Sequence, residues 1–231
     1  MIVMLIDHLA HTIFISTYNM NYDLYEIMRG VGRLAFPLYC FLFVEGMYYT
    51  RNRANYGLRL LGLALISEII YDNLFHGGLS LNNQNILFMY VLAVLAFYYI
   101  KEIKKWTDYL LWLIVSIAFV LLSKEFNLDY GADGALLISI LYLLRFSKWK
   151  FIEKYKKILQ MIALIILDIY QAFGWSKLVY LTGPIALLYN DDKIKENRKF
   201  QTFSYVFYPA HLLLLYILRL IIIKVNGFTP F

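Results

Sequence analysis

The chain has 231 residues, 61% of them apolar and 16% charged, with a formal net charge of +6. A soluble domain of this length does not hide that much apolar surface, so the composition excludes a water-soluble globule and points to a bilayer. Four Pro and twelve Gly exclude collagen-like or low-complexity character, and the single Cys40 excludes an intrachain disulfide and a multi-cysteine metal site.

Taken in chain order, apolar runs bounded by polar or basic turns predict nine spans. They lie near 1–17, 31–50, 58–72, 84–100, 109–123, 131–146, 157–171, 176–190 and 202–224. The expected fold class is all-α, one polytopic membrane bundle over residues 1–231 with no internal repeat and no dividing linker. Several runs fall short of the roughly 20 residues of an average span, which local thinning or burial in the bundle must accommodate. The first run lacks a basic n-region and a cleavage site, so it reads as a span rather than a signal peptide. It opens at Met1 without a flank, which leaves room for residues upstream.

Sixteen of the 22 basic residues fall in alternate connections. These are Arg51, Arg53 and Arg59; then Lys101, Lys104 and Lys105; then Arg145, Lys148, Lys150, Lys154, Lys156 and Lys157; then Lys193, Lys195, Arg198 and Lys199. Such alternation predicts a cytoplasmic N-terminus and an external C-terminus. It also accounts for the positive charge without nucleic acid.

Depth follows at about 1.5 Å per helical residue. His8 and His211 come near the midplane, with Glu68 and Asp168 within about a turn of it. Arg33 enters its span from the outer side and Glu45 lies toward the cytoplasmic end. These six ionisable groups, from five spans, are expected to converge on one polar cavity. Titratable groups at bilayer depth are costly, so a segment that keeps Asp7, His8 and His11 there has a use for them. Asp7 and His11, four apart, share a helix face, which would let Asp7 fix the His11 tautomer while His8 faces the cavity.

Plainer readings stand beside these. Asp7 and His11 can simply satisfy each other, and Arg33 can form a structural ion pair with Glu68 or Asp72. The 21 Tyr and 17 Phe are largely packing and interfacial belt. His76, in an outer loop, ranks low. No HExxH pattern, GxSxG elbow, P-loop or dinucleotide fingerprint occurs, so no metal site is expected. What remains is a buried general base, and His8 leads.

The blocks Met4-Leu5-Ile6-Asp7-His8, Gly32-Arg33-Leu34-Ala35-Phe36-Pro37-Leu38-Tyr39-Cys40-Phe41, Glu45-Gly46 and Tyr49-Thr50-Arg51-Asn52-Arg53 resemble the TraX family of membrane acetyltransferases. So do Leu65-Ile66-Ser67-Glu68-Ile69, Asn85-Ile86-Leu87-Phe88, Asp129-Tyr130-Gly131-Ala132-Asp133-Gly134 and Phe207-Tyr208-Pro209-Ala210-His211. The chain departs from the family at Met89-Tyr90.

The resemblance implies an acetyl-CoA-dependent transferase of the bacterial cytoplasmic membrane, acting on an exported peptide, a pilin N-terminus or another envelope acceptor. The expected roles are CoA phosphate contacts from Arg51, Arg53 and Arg59 with Asn52 nearby, and His8 as base. Asp7 would orient the imidazoles, and His211 would shuttle the proton or position the acceptor. Arg33 would meet the oxyanion or an anionic acceptor group, with Glu45, Glu68, Tyr130 and Asp168 on the substrate side. A proton-coupled transporter needs similar midplane groups and is the main rival; a structural partner of a secretion system is the third.

Overall fold

The computed structural model describes residues 1–14, 21–167, 174–189 and 198–226, with side chains described over 177–189 and 202–225 in the last two stretches. Asp168 lies outside the described residues. The described chain is all-helical: α1 (Ile2–Thr12), α2 (Tyr22–Gly32), α3 (Ala35–Tyr49), α4 (Arg53–Phe75), α5 (Ile86–Ala96), α6 (Trp106–Glu125), α7 (Gly131–Phe146), α8 (Lys150–Leu167), a 3-10 segment Gly174–Leu181, α9 (Thr182–Leu187) and α10 (Arg198–Asn226).

Asparagines start three of these helices. The Asn21, Asn52 and Asn85 side chains accept from Leu24, Asn55 and Leu87 backbone N–H groups, satisfying donors that a helix start leaves open. The Asn21 cap explains one departure from the predicted spans. α2 begins at Tyr22 rather than 31, because its Asp23, Glu26 and Arg29 lower the hydropathy without breaking the helix. A second departure is α8, which begins at Lys150 rather than 157, so its lysines ride on a helix and not in a loop. Helix α7 matches the predicted span at both ends.

The helix contacts close a circuit. In order, α1 packs on α10, α10 on α4, α4 on α5, α5 on α6, α6 on α7, α7 on α8, α8 on α9, α9 on the 3-10 segment, that segment on α2, and α2 on α1. α3 packs against α1, α7 and α9, with Phe36, Cys40, Phe41, Phe43, Val44 and Met47 buried. Among the described residues, three helical stretches are long and apolar enough to cross a membrane: Tyr22–Tyr49 (α2 running through a short break into α3), Trp106–Glu125 and Thr202–Val225.

The α1–α2 approach depends on Gly32, where an added Cβ would overlap Asp7. Gly62, on the exposed face of α4, has nothing within 4 Å of the same position. We therefore expect opposite signs from two alanine substitutions. Gly32→Ala should destabilise by about 1–3 kcal/mol, the usual cost of overpacking. Gly62→Ala should be neutral or stabilise by about 0.5–1 kcal/mol. Thermal unfolding in detergent measures both, and equal effects would remove the steric role assigned to Gly32.

Candidate active site

α1 and α10 bring two imidazoles together. His8 Nδ1 lies 2.8 Å from His211 Nε2, with the rings near parallel at 12° and 5.0 Å between centroids. His211 Nδ1 lies 2.8 Å from the Phe207 carbonyl oxygen. A carbonyl only accepts, so His211 Nδ1 carries the hydrogen and, in a neutral ring, Nε2 is the acceptor. His8 Nδ1–H then donates to His211, which leaves the lone pair of His8 Nε2 unspent by the pair. His211 is buried, at 4% exposure, while His8 is half-buried. Phe75 meets the His8 ring edge-on at 5.5 Å and Phe207 stacks on His211 at 5.0 Å, which fixes both rings. Pro209 sits inside α10 two residues before His211 and interrupts its hydrogen-bond ladder there.

Beside the pair, Asp7 takes a partner that the sequence reading did not single out. Arg29 Nη1 lies 2.6 Å from Asp7 Oδ1. This replaces the expected Asp7–His11 pairing, because α2 runs against α1 and carries the guanidinium to Asp7. Arg33, at the end of α2, lies within electrostatic range of Asp7, Asp129 and Tyr130.

The expected Arg33 pairing with Glu68 or Asp72 gives way to loop contacts. Glu68 Oε2 accepts from the Asn85 backbone N–H at 3.0 Å and from the Asn85 side-chain amide. Asp72 Oδ2 accepts from the Ser80 N–H at 3.0 Å. Each keeps one buried oxygen, Glu68 Oε1 and Asp72 Oδ1, with no hydrogen-bond partner among the described residues.

Tyr130 adopts φ 61° and lays its ring on Phe36 at 3.5 Å and 2°. That turn seats Asp129, in the connection between α6 and α7, against the same cluster. Burial raises the Asp129 carboxyl to about 7, helped by the charges of Asp7 and Glu68 and opposed by the Tyr130 N–H and Arg33. The raised value means that the folded state holds its proton up to about 7 while the unfolded chain loses it near 4. Stability contributed by that proton is therefore fully present below about 4 and lost as pH rises toward 7. Asp129→Asn should accordingly gain thermal stability over wild type progressively from pH 4 to 7 and level off above it. A pH-independent difference would mean that the carboxyl is ionised throughout.

The remaining sequence-predicted residues lie elsewhere. Glu45 does not join the imidazoles: it pairs with Arg145 at 2.9 Å, both side chains 4% exposed. Arg145, which the charge pattern groups with the loop residues, is buried in the last turn of α7. Arg53 Nη1 donates to the Phe97, Tyr98 and Ile100 carbonyls at 2.8, 3.0 and 2.9 Å, closing the C-terminal end of α5. Its guanidinium is thus engaged by backbone rather than presented for a phosphate. Asn52 caps α4. Arg51 is exposed, and Arg59 donates to the Asn55 carbonyl and lies 5.8 Å from the Tyr205 ring.

The missed residues had signals of different strength. The low hydropathy of α2 hides Arg29, and Asp129 stands in the block Asp129-Tyr130-Gly131-Ala132-Asp133-Gly134 with no local sign of burial.

Comparison with known proteins agrees with the resemblance. A protein of Dichelobacter nodosus described as probable fimbrial assembly protein FimC, serogroup H1, is 38% identical over 103 residues, a match spanning 41% of this chain and 41% of that protein. No solved structure matches the chain. The TraX protein family matches over residues 1–219, nearly the whole length on which the helices and the imidazole pair are built, and the chain belongs to the TraX family.

Proposed function

We propose that the protein is a multi-pass acetyltransferase of the bacterial cytoplasmic membrane. It moves acetyl from cytoplasmic acetyl-CoA to an amine or hydroxyl of an exported acceptor, with a pilin-like peptide N-terminus the first candidate. The observation that carries the reading is the hydrogen-bonded His8–His211 pair, whose bonding pattern leaves one lone pair at His8 Nε2. Membership of the TraX family and likeness to a fimbrial assembly protein support the acceptor class. Nine spans with the N-terminus inside remain the topology that best fits the alternating basic segments.

In this reading the acceptor nitrogen attacks the thioester carbon while His8 Nε2 takes its proton. The positive charge spreads to His211, whose ring is already hydrogen-bonded to the Phe207 carbonyl. The C–S bond then breaks, and the CoA thiolate leaves with the proton that His8 holds. Arg33 stabilises the developing oxyanion, and the Asp7–Arg29 pair holds α1 in place. Glu68, Asp129 and Tyr130 border the acceptor side, with Asp168 assigned there from its depth. Carboxyl and phenol oxygens on that border can accept hydrogen bonds from an arriving amine. Arg51, Asn52 and Arg59 border the cytoplasmic mouth where the donor enters.

The test needs no acceptor. Purified protein in detergent is supplied with acetyl-CoA, and free thiol is followed with time. Slow thiol release above the buffer rate is expected from an enzyme that hydrolyses its donor when no acceptor is present. Failure to bind acetyl-CoA at millimolar donor would end the transferase reading and leave transport through the same polar groups.

A further inference from the structure

α7 is set back between its neighbours in the helix circuit, with α6 on one side, α8 on the other and α3 behind it. From Gly134 to Phe146 every residue is buried except Leu136, Ile140 and Leu143. Spacings of four and three put these on one stripe of the helix, on its outward face. The flanking helices rise beside that stripe. α6 carries Leu110, Leu113, Ile114 and Ile117 outward, and α8 carries Phe151, Tyr155 and Ile158. The stripe is thus the floor of an apolar groove facing the bilayer. Leu136 is exposed at one end, while Ile140 and Leu143 are half-buried toward the other.

At the deeper end two connections are stapled together. The Ile103 N–H donates to the Phe146 carbonyl at 3.0 Å, and the Lys148 N–H donates to the Ile103 carbonyl at 2.8 Å. The Tyr109 hydroxyl and Ser147 Oγ, 2.7 Å apart, tie α6 to the same point. The staple brings Lys101, Lys104 and Lys105, before α6, beside Lys148, Lys150 and Lys154, at the start of α8. Glu102 pairs with Lys104, and Glu153 lies 3.9 Å from Lys148. Asp108 accepts from the Lys104 and Lys105 backbone N–H groups. Three carboxylates against six ammonium groups leave the platform positive. Trp106 opens α6 and Trp149 precedes α8; at 73% and 60% exposure, their indoles suit the boundary between headgroups and acyl chains.

We propose that the groove and the platform together bind an anionic phospholipid, with an acyl chain along the α7 stripe and the headgroup phosphate on the stapled lysines. Basic loops orient any membrane protein. Here the charge sits at the mouth of an apolar groove, and that continuity makes a site of it. The dimensions agree, because Leu136 and Phe146 stand about 15 Å apart along the helix, the hydrocarbon depth of one leaflet. The surplus positive charge favours an anionic headgroup over a zwitterionic one. Under the topology proposed above, the lipid belongs to the cytoplasmic leaflet.

The experiment places the full chain in nanodiscs of phosphatidylcholine with a minor fraction of phosphatidylglycerol, and native mass spectrometry counts the lipid that each protein retains. Wild type is expected to keep phosphatidylglycerol in preference to phosphatidylcholine. The triple variant Lys105→Gln/Lys148→Gln/Lys150→Gln should retain at least about tenfold less phosphatidylglycerol. The corresponding triple arginine variant should keep it. Lys124→Gln, which removes a lysine at the opposite end of α6, should change nothing. Ile140→Trp fills the groove and should lower retention with every lysine in place; Ile140→Phe carries the same test if the larger ring prevents folding. Unchanged unfolding temperatures separate lost binding from lost fold.

Equal retention of the two lipids by wild type overturns the proposal, as does full retention by the triple glutamine variant. A loss from Lys124→Gln as large as that from the triple variant would reduce the effect to total charge and overturn the site. Retention unaffected by a filled groove would overturn it as well, by leaving the lysines without an acyl-chain seat.

Discussion

His8→Ala is expected to lower acetyl transfer by about 10²- to 10⁴-fold, the usual contribution of a positioned acid–base group. The substitution removes the only lone pair that the imidazole pair leaves unspent, so neither Asp7 nor His211 can stand in for it. Donor binding should survive, because the substitution leaves the donor contacts assigned to Arg51, Asn52 and Arg59 in place. The loss should therefore appear in kcat and leave the KM for acetyl-CoA near its wild-type value. His211→Ala should cost less than His8→Ala. It removes the acceptor that fixes the His8 tautomer but leaves an imidazole at the reacting position, so adding free imidazole should restore part of the rate to His8→Ala. Steady-state thiol release by the two variants, with and without imidazole, checks the order. Equal losses, or a loss confined to KM, would make the pair a packing feature rather than a base and its support.

Arg145→Ala is expected to destabilise the protein by about 3–5 kcal/mol, the usual cost of stranding one partner of a buried pair. Removing the guanidinium leaves the Glu45 carboxylate buried at 4% exposure without its cation. It also strips the cation from the faces of Tyr48 and Tyr49, which lie 3.8 and 5.3 Å from it. The partner experiment decides whether the pair stabilises or merely must not be broken. Replacing both residues with apolar ones, Glu45→Met with Arg145→Leu, should recover most of the lost stability, as it often does for buried pairs. Reversible unfolding in mixed micelles measures the stability cycle. A small effect from the single variant would mean that water reaches Glu45.

How far these residues could be read from the sequence follows from what hydropathy and charge encode. Both report depth along a helix and neither reports rotation about it. His8 and His211 were placed at one depth and meet in the structure. Glu45 was drawn to the same cavity, but the face of α3 that carries it looks toward α7, where Arg145 waits. The positive-inside pattern is likewise blind to burial, so Arg145 and Arg53 were grouped with solvent-facing loop charges although both are tied into the protein. The polar composition of α2 concealed a helix, and with it the Arg29 partner of Asp7. Asp129 is the hardest case. Nothing local marks a loop carboxylate as buried; its surroundings come from Asp7, Arg33 and Glu68, distant along the chain. Helix α7 was legible end to end because its apolar run stops sharply at Gly131 and Phe146.

The contrast between α6 and α7 bears on how the family can drift. Only 17% of the apolar stretch of α6 is buried inside the protein, and Leu110, Leu111, Leu113, Ile114, Ile117, Leu121 and Leu122 face outward. In a bilayer those side chains are solvated by lipid tails, which accept Leu, Ile, Val or Phe with little preference. Selection on that face therefore acts on polarity and not on shape, and neutral substitutions can accumulate there freely. α7 carries Leu137, Ile138, Leu141 and Tyr142 at 0–1% exposure, so each is judged by volume against its neighbours. Two adjacent helices of similar composition should thus keep very different evolutionary clocks.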